Sequence, residues 1–220
     1  MQGLRAFTAW LPDADPSFEI QVSRRTGRLV ALALLAVVIA GGALRFTHLD
    51  RQIFWDDEVW TALRITGNGD DALEKLYDGR TLTVARLDTM LHARAGSVSP
   101  IIKGLATFEP QWPPLWYVLA WLWSAIFGTS PQALRALAAT FGIALVPAAY
   151  RLAYELFRAR APALFAAALV ALSPAEIVYA REARGYSLLI LIVASSMALT
   201  LYALRTRRVA PWYAFGLFPS

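Results

Sequence analysis

The sequence predicts an all-α, polytopic transmembrane helix bundle with a large extracytoplasmic first loop that carries surface helices. Apolar residues make up 57% of the 220 residues against 17% charged, and the mean hydropathy is +0.45. A soluble domain of this size lacks the polar surface to dissolve so much apolar material. The apolar residues gather in runs long enough to cross a bilayer. Basic residues flank those runs in short clusters, so the net charge of +5 reads as an orientation signal and not as a nucleic-acid surface. Cysteine is absent, which excludes a disulfide framework and thiolate chemistry and leaves the compartment open.

Residues 1–28 are mixed polar, end in Arg24, Arg25 and Arg28, and read as a cytoplasmic N-terminal segment. The run from Leu29 to Leu44 follows at once and reads as the first transmembrane helix, with Phe46 and its flanks completing the span. A cleavable signal with Ala40-Gly41-Gly42-Ala43 as its cleavage region is the other reading of this run. The run starts late and leads straight into an acidic motif, which favours the helix. Residues 45–132 form the first outer loop. Within it Asp70 or Asp71 can cap a short helix with Glu74 in its first turn and Gly79 at its end, whereas Thr89 to Thr107 has no usable period. Further apolar segments cover about 133–152, 161–179 and 186–204, and another starts at Pro211.

The segment 113–128, rich in Trp and opening on Pro113-Pro114, decides the topology. If it spans, the clusters Arg151, Arg158, Arg160 and Arg205, Arg207, Arg208 fall on the side of the acidic loop, against the positive-inside rule. If it lies in the interface, every basic cluster falls on the cytoplasmic side, and its Trp residues suit that location. This second topology also places the loop 179–186 on the same outer face as the acidic motif.

That motif is Phe54-Trp55-Asp56-Asp57-Glu58-Val59-Trp60. Carboxylates at a helix start complement its dipole, yet three of them between aromatic residues at a membrane surface also suit activating a nucleophile, binding a cation or holding a polar substrate. Adjacent helical residues point about 100° apart, so one of Asp57 and Glu58 faces a site and the other a neighbour. In the second loop Arg181 and Arg184 suit a lipid-linked phosphate, because guanidinium groups pair bidentately with phosphate oxygens. Glu182 between them is then neutralised, or holds a metal or a sugar hydroxyl. Gln111 and Glu109 are the polar groups before the paired prolines, and Tyr179 and Tyr186 flank the arginines. His48 and His92 are isolated and lack ligand spacing.

Taken in order, these residues resemble the GT-C superfamily of membrane glycosyltransferases. The acidic pair soon after the first span, Pro113-Pro114-Leu115-Trp116-Tyr117, and the helix from Arg135-Ala136-Leu137-Ala138-Ala139 to Tyr150-Arg151-Leu152 and Leu156-Phe157 are similar to that superfamily. So are Leu172-Ser173-Pro174 and Arg181-Glu182-Ala183-Arg184-Gly185-Tyr186. The resemblance is to the protein O-mannosyltransferase and aminoarabinose transferase branch and covers roughly residues 29–205. Arg181 stands where that branch usually has Gln, and Trp112 where a His often precedes the prolines.

The resemblance implies a polyprenyl-phosphate sugar as donor, an inverting transfer on the outer face of a bacterial inner membrane, and a glycan, lipid or protein acceptor. It places Asp57 and Glu58 at the catalytic pair, and Arg181, Glu182, Arg184, Tyr186 and Gln111 at substrate. A divalent metal is open, membrane lipid is a partner, and nucleic acid is not. Such enzymes are typically more than twice this length, so residues 29–220 read as the N-terminal part of a GT-C-like module. A polyprenyl-lipid or ion transporter or binding subunit without covalent chemistry is the alternative, using the same acids and arginines.

Overall fold

The computed structural model describes residues 24–68, 79, 81, 83–92 and 95–206, and among them all regular structure is helical. The helices are α1 (Arg24–Phe46), α2 (Asp56–Ile65), α3 (Val84–His92), α4 (Ser99–Phe108) and α5 (Pro114–Phe127), followed by α6 (Pro131–Phe157), α7 (Arg160–Leu172), α8 (Pro174–Tyr179) and α9 (Tyr186–Thr206). The short helix expected after Asp70 and the segment from Pro211 lie outside the described residues.

Among the described residues three helices are long and apolar enough to cross a membrane: Thr26–Phe46 within α1, then α6 and α9. At 1.5 Å per residue, α1 and α9 reach about 30 Å, the thickness of a hydrocarbon core. Leu29, Leu32, Leu35 and Ile39 on α1, and Leu189, Val193 and Met197 on α9, are exposed. In a bilayer such stripes are the favourable surface.

The apolar run 161–179, read from the sequence as one segment, is two helices. Pro174 has no N–H and disfavours helical backbone at Ser173, so the chain extends there (φ −61°, ψ 121°) and Ser173 caps α8 by accepting from the Glu176 N–H. The break leaves the carbonyls of Val170 and Ala171 without helical donors. Arg45, fully buried near the end of α1, donates to both at 2.8 Å. Gly142 on α6 makes room for this arrangement: a Cβ there would stand 2.6 Å from Ala180 Cβ and 3.0 Å from Arg45 Nε.

Contacts along the bundle fix its directions. Gly27 at the start of α1 lies beside Arg160 at the start of α7, and Arg45 meets the end of α7, so these helices run together. The chain re-enters at the top of α6, where Arg135 reaches the carbonyls of Leu49, Gln52 and Ile53. Arg205 near the end of α9 bonds Glu155 near the end of α6. The start of α1, Arg151, Arg158, Arg160 and Arg205 therefore share one end, and Asp57, Glu58, Arg181, Glu182 and Arg184 share the other.

The short α5 does not carry the chain between those ends. Trp116 meets Phe141 edge-on and Trp123 Nε1 donates to the Ala133 carbonyl, so α5 lies beside the N-terminal third of α6. Around it Ala62, Ile65, Ile101, Leu105, Trp116, Leu134 and Ala138 form a core that roofs the bundle. The stretch 89–107, without a usable period in the sequence, contains the C-terminal end of α3 and nearly all of α4. Its signal is weak because α3 has no fully buried residue and α4 buries only Ile101 and Leu105.

Candidate functional site

The site grows from the first turn of α2. Trp55 precedes the helix in extended conformation, and Asp56, Asp57 and Glu58 occupy the first turn, where backbone N–H groups favour negative charge. The helical twist then separates the acids. Asp56 points to solvent, Glu58 is 1% exposed, and Asp57 lies between, with its side chain 34% exposed.

Glu58 is fully engaged. Arg135 donates from Nε at 2.8 Å and from Nη2 at 2.6 Å, one to each carboxylate oxygen, and the Ala183 N–H donates at 2.8 Å. With the three carbonyls also bound by Arg135, this buried pair ties α2, the loop before it, α6 and the loop before α9 into one block. A two-pronged, charge-assisted geometry compensates two desolvated charges, as burial demands.

Arg184 comes to Asp57 from the second loop. Its Nη1 donates to the Asp57 backbone carbonyl at 3.1 Å and its Nη2 stands 3.8 Å from Asp57 Oδ2. The guanidinium lies over Trp112 (4.8 Å) and beside Tyr186 (5.8 Å), which hold it by cation–π attraction. The acidic doublet and the Arg-Glu-Ala-Arg loop, more than a hundred residues apart, meet by direct contact.

The remaining candidates divide. Arg181 Nη2 donates to the Leu44 carbonyl and to Thr47 Oγ1, so this arginine fastens the loop to the end of α1. Glu182 is half-buried, and burial first, then the neighbouring Glu58 and Asp57 carboxylates, raise its pKa above the ordinary glutamate range. Tyr186 packs edge-on against Tyr179 and beside Arg184. Gln111 is exposed next to Trp112, while Glu109 pairs with the buried Arg64. Among the described residues no group of three or more His, Asp or Glu is placed to hold a metal ion.

Reading the sequence alone gives Arg135 and Trp116 a place in motifs but no role at the site, and does not single out Ser187. Trp116 Nε1 and Ser187 Oγ are buried without a hydrogen-bond partner among the described residues, one beside Gly185 and the other just after Tyr186. An arginine among apolar residues near the start of a membrane-length helix is the available signal for Arg135. Nothing local marks the other two.

Residues 111–219 match the family model described as dolichyl-phosphate-mannose-protein mannosyltransferase. That match is consistent with a GT-C membrane glycosyltransferase. No curated protein and no solved structure matches it. The matched stretch contains Gln111, Arg181, Glu182, Arg184 and Tyr186, whereas Asp57 and Glu58 precede it. The all-helical architecture of the described residues, with three membrane-length helices among them, agrees with a membrane glycosyltransferase of this type.

Proposed function

We propose that this chain carries the reacting end of a glycosyltransferase that moves a sugar, with inversion, from a polyprenyl-phosphate donor to an acceptor at the outer face of a bacterial inner membrane. The observation that carries the reading is the contact between a partly open carboxylate, Asp57, and a stacked guanidinium, Arg184, at the bundle end opposite the basic clusters.

In this reading Asp57 takes the proton from an acceptor hydroxyl as the acceptor oxygen bonds to the anomeric carbon. The anomeric C–O bond to phosphate breaks, its electron pair leaves on the phosphate, and Arg184 stabilises the charge that develops there. Fixed donors aimed at developing charge act strongly in such a partly dry site. Glu58 and Arg135 position the two reacting elements. Glu182, whose proton is held more tightly than in an ordinary glutamate, faces sugar hydroxyls, and Trp116 Nε1 and Ser187 Oγ are donors left open for substrate.

The test measures donor binding directly in the full-length protein. Arg184→Ala removes a charge-assisted phosphate contact and should weaken binding of a polyprenyl-phosphate sugar by about 10- to 100-fold, and Arg184→Lys should recover part of it. Unchanged donor affinity in Arg184→Ala would remove Arg184 from the phosphate site. Wild-type protein that binds donor yet transfers sugar to no acceptor would favour a lipid-binding or transport subunit.

Sidedness is tested separately. The cysteine-free chain accepts single probes at the exposed positions Pro110 and Ala159. Pro110→Cys should react with an impermeant maleimide in intact cells, and Ala159→Cys only after permeabilisation. The opposite pattern would turn the site inward and sink the outer-face assignment.

A further inference from the structure

At the far end of the bundle from Asp57, three guanidinium groups share one carboxylate. Glu155, its side chain fully buried, receives Arg151 Nη2 at 2.5 Å, Arg205 Nε at 2.9 Å and Arg158 Nη1 at 3.3 Å. Three positive charges against one negative leave two in excess. The arginines are not buried with their partner: Arg151 is half-exposed, and Arg158 and Arg205 are each about a third exposed. Tyrosine rings hold them in place, since Arg151 and Arg205 both lie over Tyr202, at 5.1 and 5.2 Å, and Arg158 lies over Tyr154 at 4.5 Å. Rigid, partly exposed guanidinium groups in excess over their counter-charge suit a phosphate, whose oxygens accept their remaining N–H donors.

A cavity of about 360 Å³ opens beside this cluster between α6 and α9, lined by Ala148, Arg151, Ser195, Ala198, Leu199 and Tyr202. Its size lies within the usual range of small-molecule sites, about 300–1,000 Å³. Arg151 and Tyr202 belong both to the charged cluster and to the cavity wall, and the rest of the wall is apolar but for Ser195. A free phosphate would use the arginines and leave the cavity unfilled. A molecule with an anionic head and an acyl chain uses both, and basic pockets between membrane helices are a known setting for such heads.

We infer that the groove between α6 and α9 binds an anionic phospholipid of the leaflet at the basic end, with its phosphate on Arg151, Arg158 and Arg205 and an acyl chain in the cavity. This site stands apart from the donor site, and its test is independent of sugar transfer.

The full chain, purified in neutral detergent and mixed with micelles holding equal phosphatidylglycerol and phosphatidylcholine, would be examined by native mass spectrometry for retained lipid. Wild-type protein should retain phosphatidylglycerol over phosphatidylcholine by roughly tenfold or more. Arg151→Gln with Arg205→Gln should bring the two lipids to near equality. Arg86→Gln with Lys103→Gln, which removes the same charge from exposed positions on α3 and α4, should keep the preference. The inference is overturned by equal retention in the wild type, by a preference that survives Arg151→Gln with Arg205→Gln, or by one that the Arg86→Gln with Lys103→Gln control abolishes. Displacement of the bound phosphatidylglycerol by inorganic phosphate alone would overturn it too, because the cavity would then contribute nothing.

Discussion

Asp57→Asn in the full-length protein is expected to lower sugar transfer by on the order of 10²- to 10⁴-fold while donor binding stays within a few-fold of wild type. The geometry makes this a clean substitution. Arg184 donates its closer hydrogen bond to the backbone carbonyl of Asp57 and only approaches the carboxylate at 3.8 Å, so the arginine keeps its anchor when the side chain becomes an amide. Asparagine also keeps the size of the aspartate side chain and an amide oxygen that accepts hydrogen bonds. What is lost is a group able to accept the acceptor's proton. Transfer from a radiolabelled polyprenyl-phosphate sugar, measured beside direct donor binding, reads the two effects separately. Full transfer activity in Asp57→Asn would remove it as the base.

Arg135→Ala is expected to act on stability instead, destabilising the protein by about 3–5 kcal/mol, because it strands the Glu58 carboxylate in a site that is 1% exposed and frees three backbone carbonyls. Arg135→Lys keeps the charge but not the fork and should fall between. Replacing both partners with apolar residues, Arg135→Met with Glu58→Leu, should cost less than the two single substitutions added together, because no unpaired charge remains. Unfolding in detergent monitored by Trp fluorescence would measure the series. Wild-type stability in Arg135→Ala would show that the pair does not hold the site together.

Helix-forming apolar runs, their basic flanks and the acidic and Arg-Glu-Ala-Arg motifs are local features, and so the sequence by itself determined the all-helical membrane class and the spans of α1, α6 and α9. It also held the sign of the break in 161–179, since Pro174 is visible there, although the strength of the apolar run hides it. Tertiary structure alone decided which polar groups meet. Arg135 and Glu58 are separated by 77 residues, and Ala183 reaches the same carboxylate from 125 residues away. Pairings of that range leave no periodicity behind. Hydropathy could also not say which of Asp57 and Glu58 turns inward, because neighbouring helical residues differ by a rotation whose origin is set by the helix's packing partners. Those partners, Arg135 on one side and Arg184 on the other, bury Glu58 in the frame and leave Asp57 at the opening.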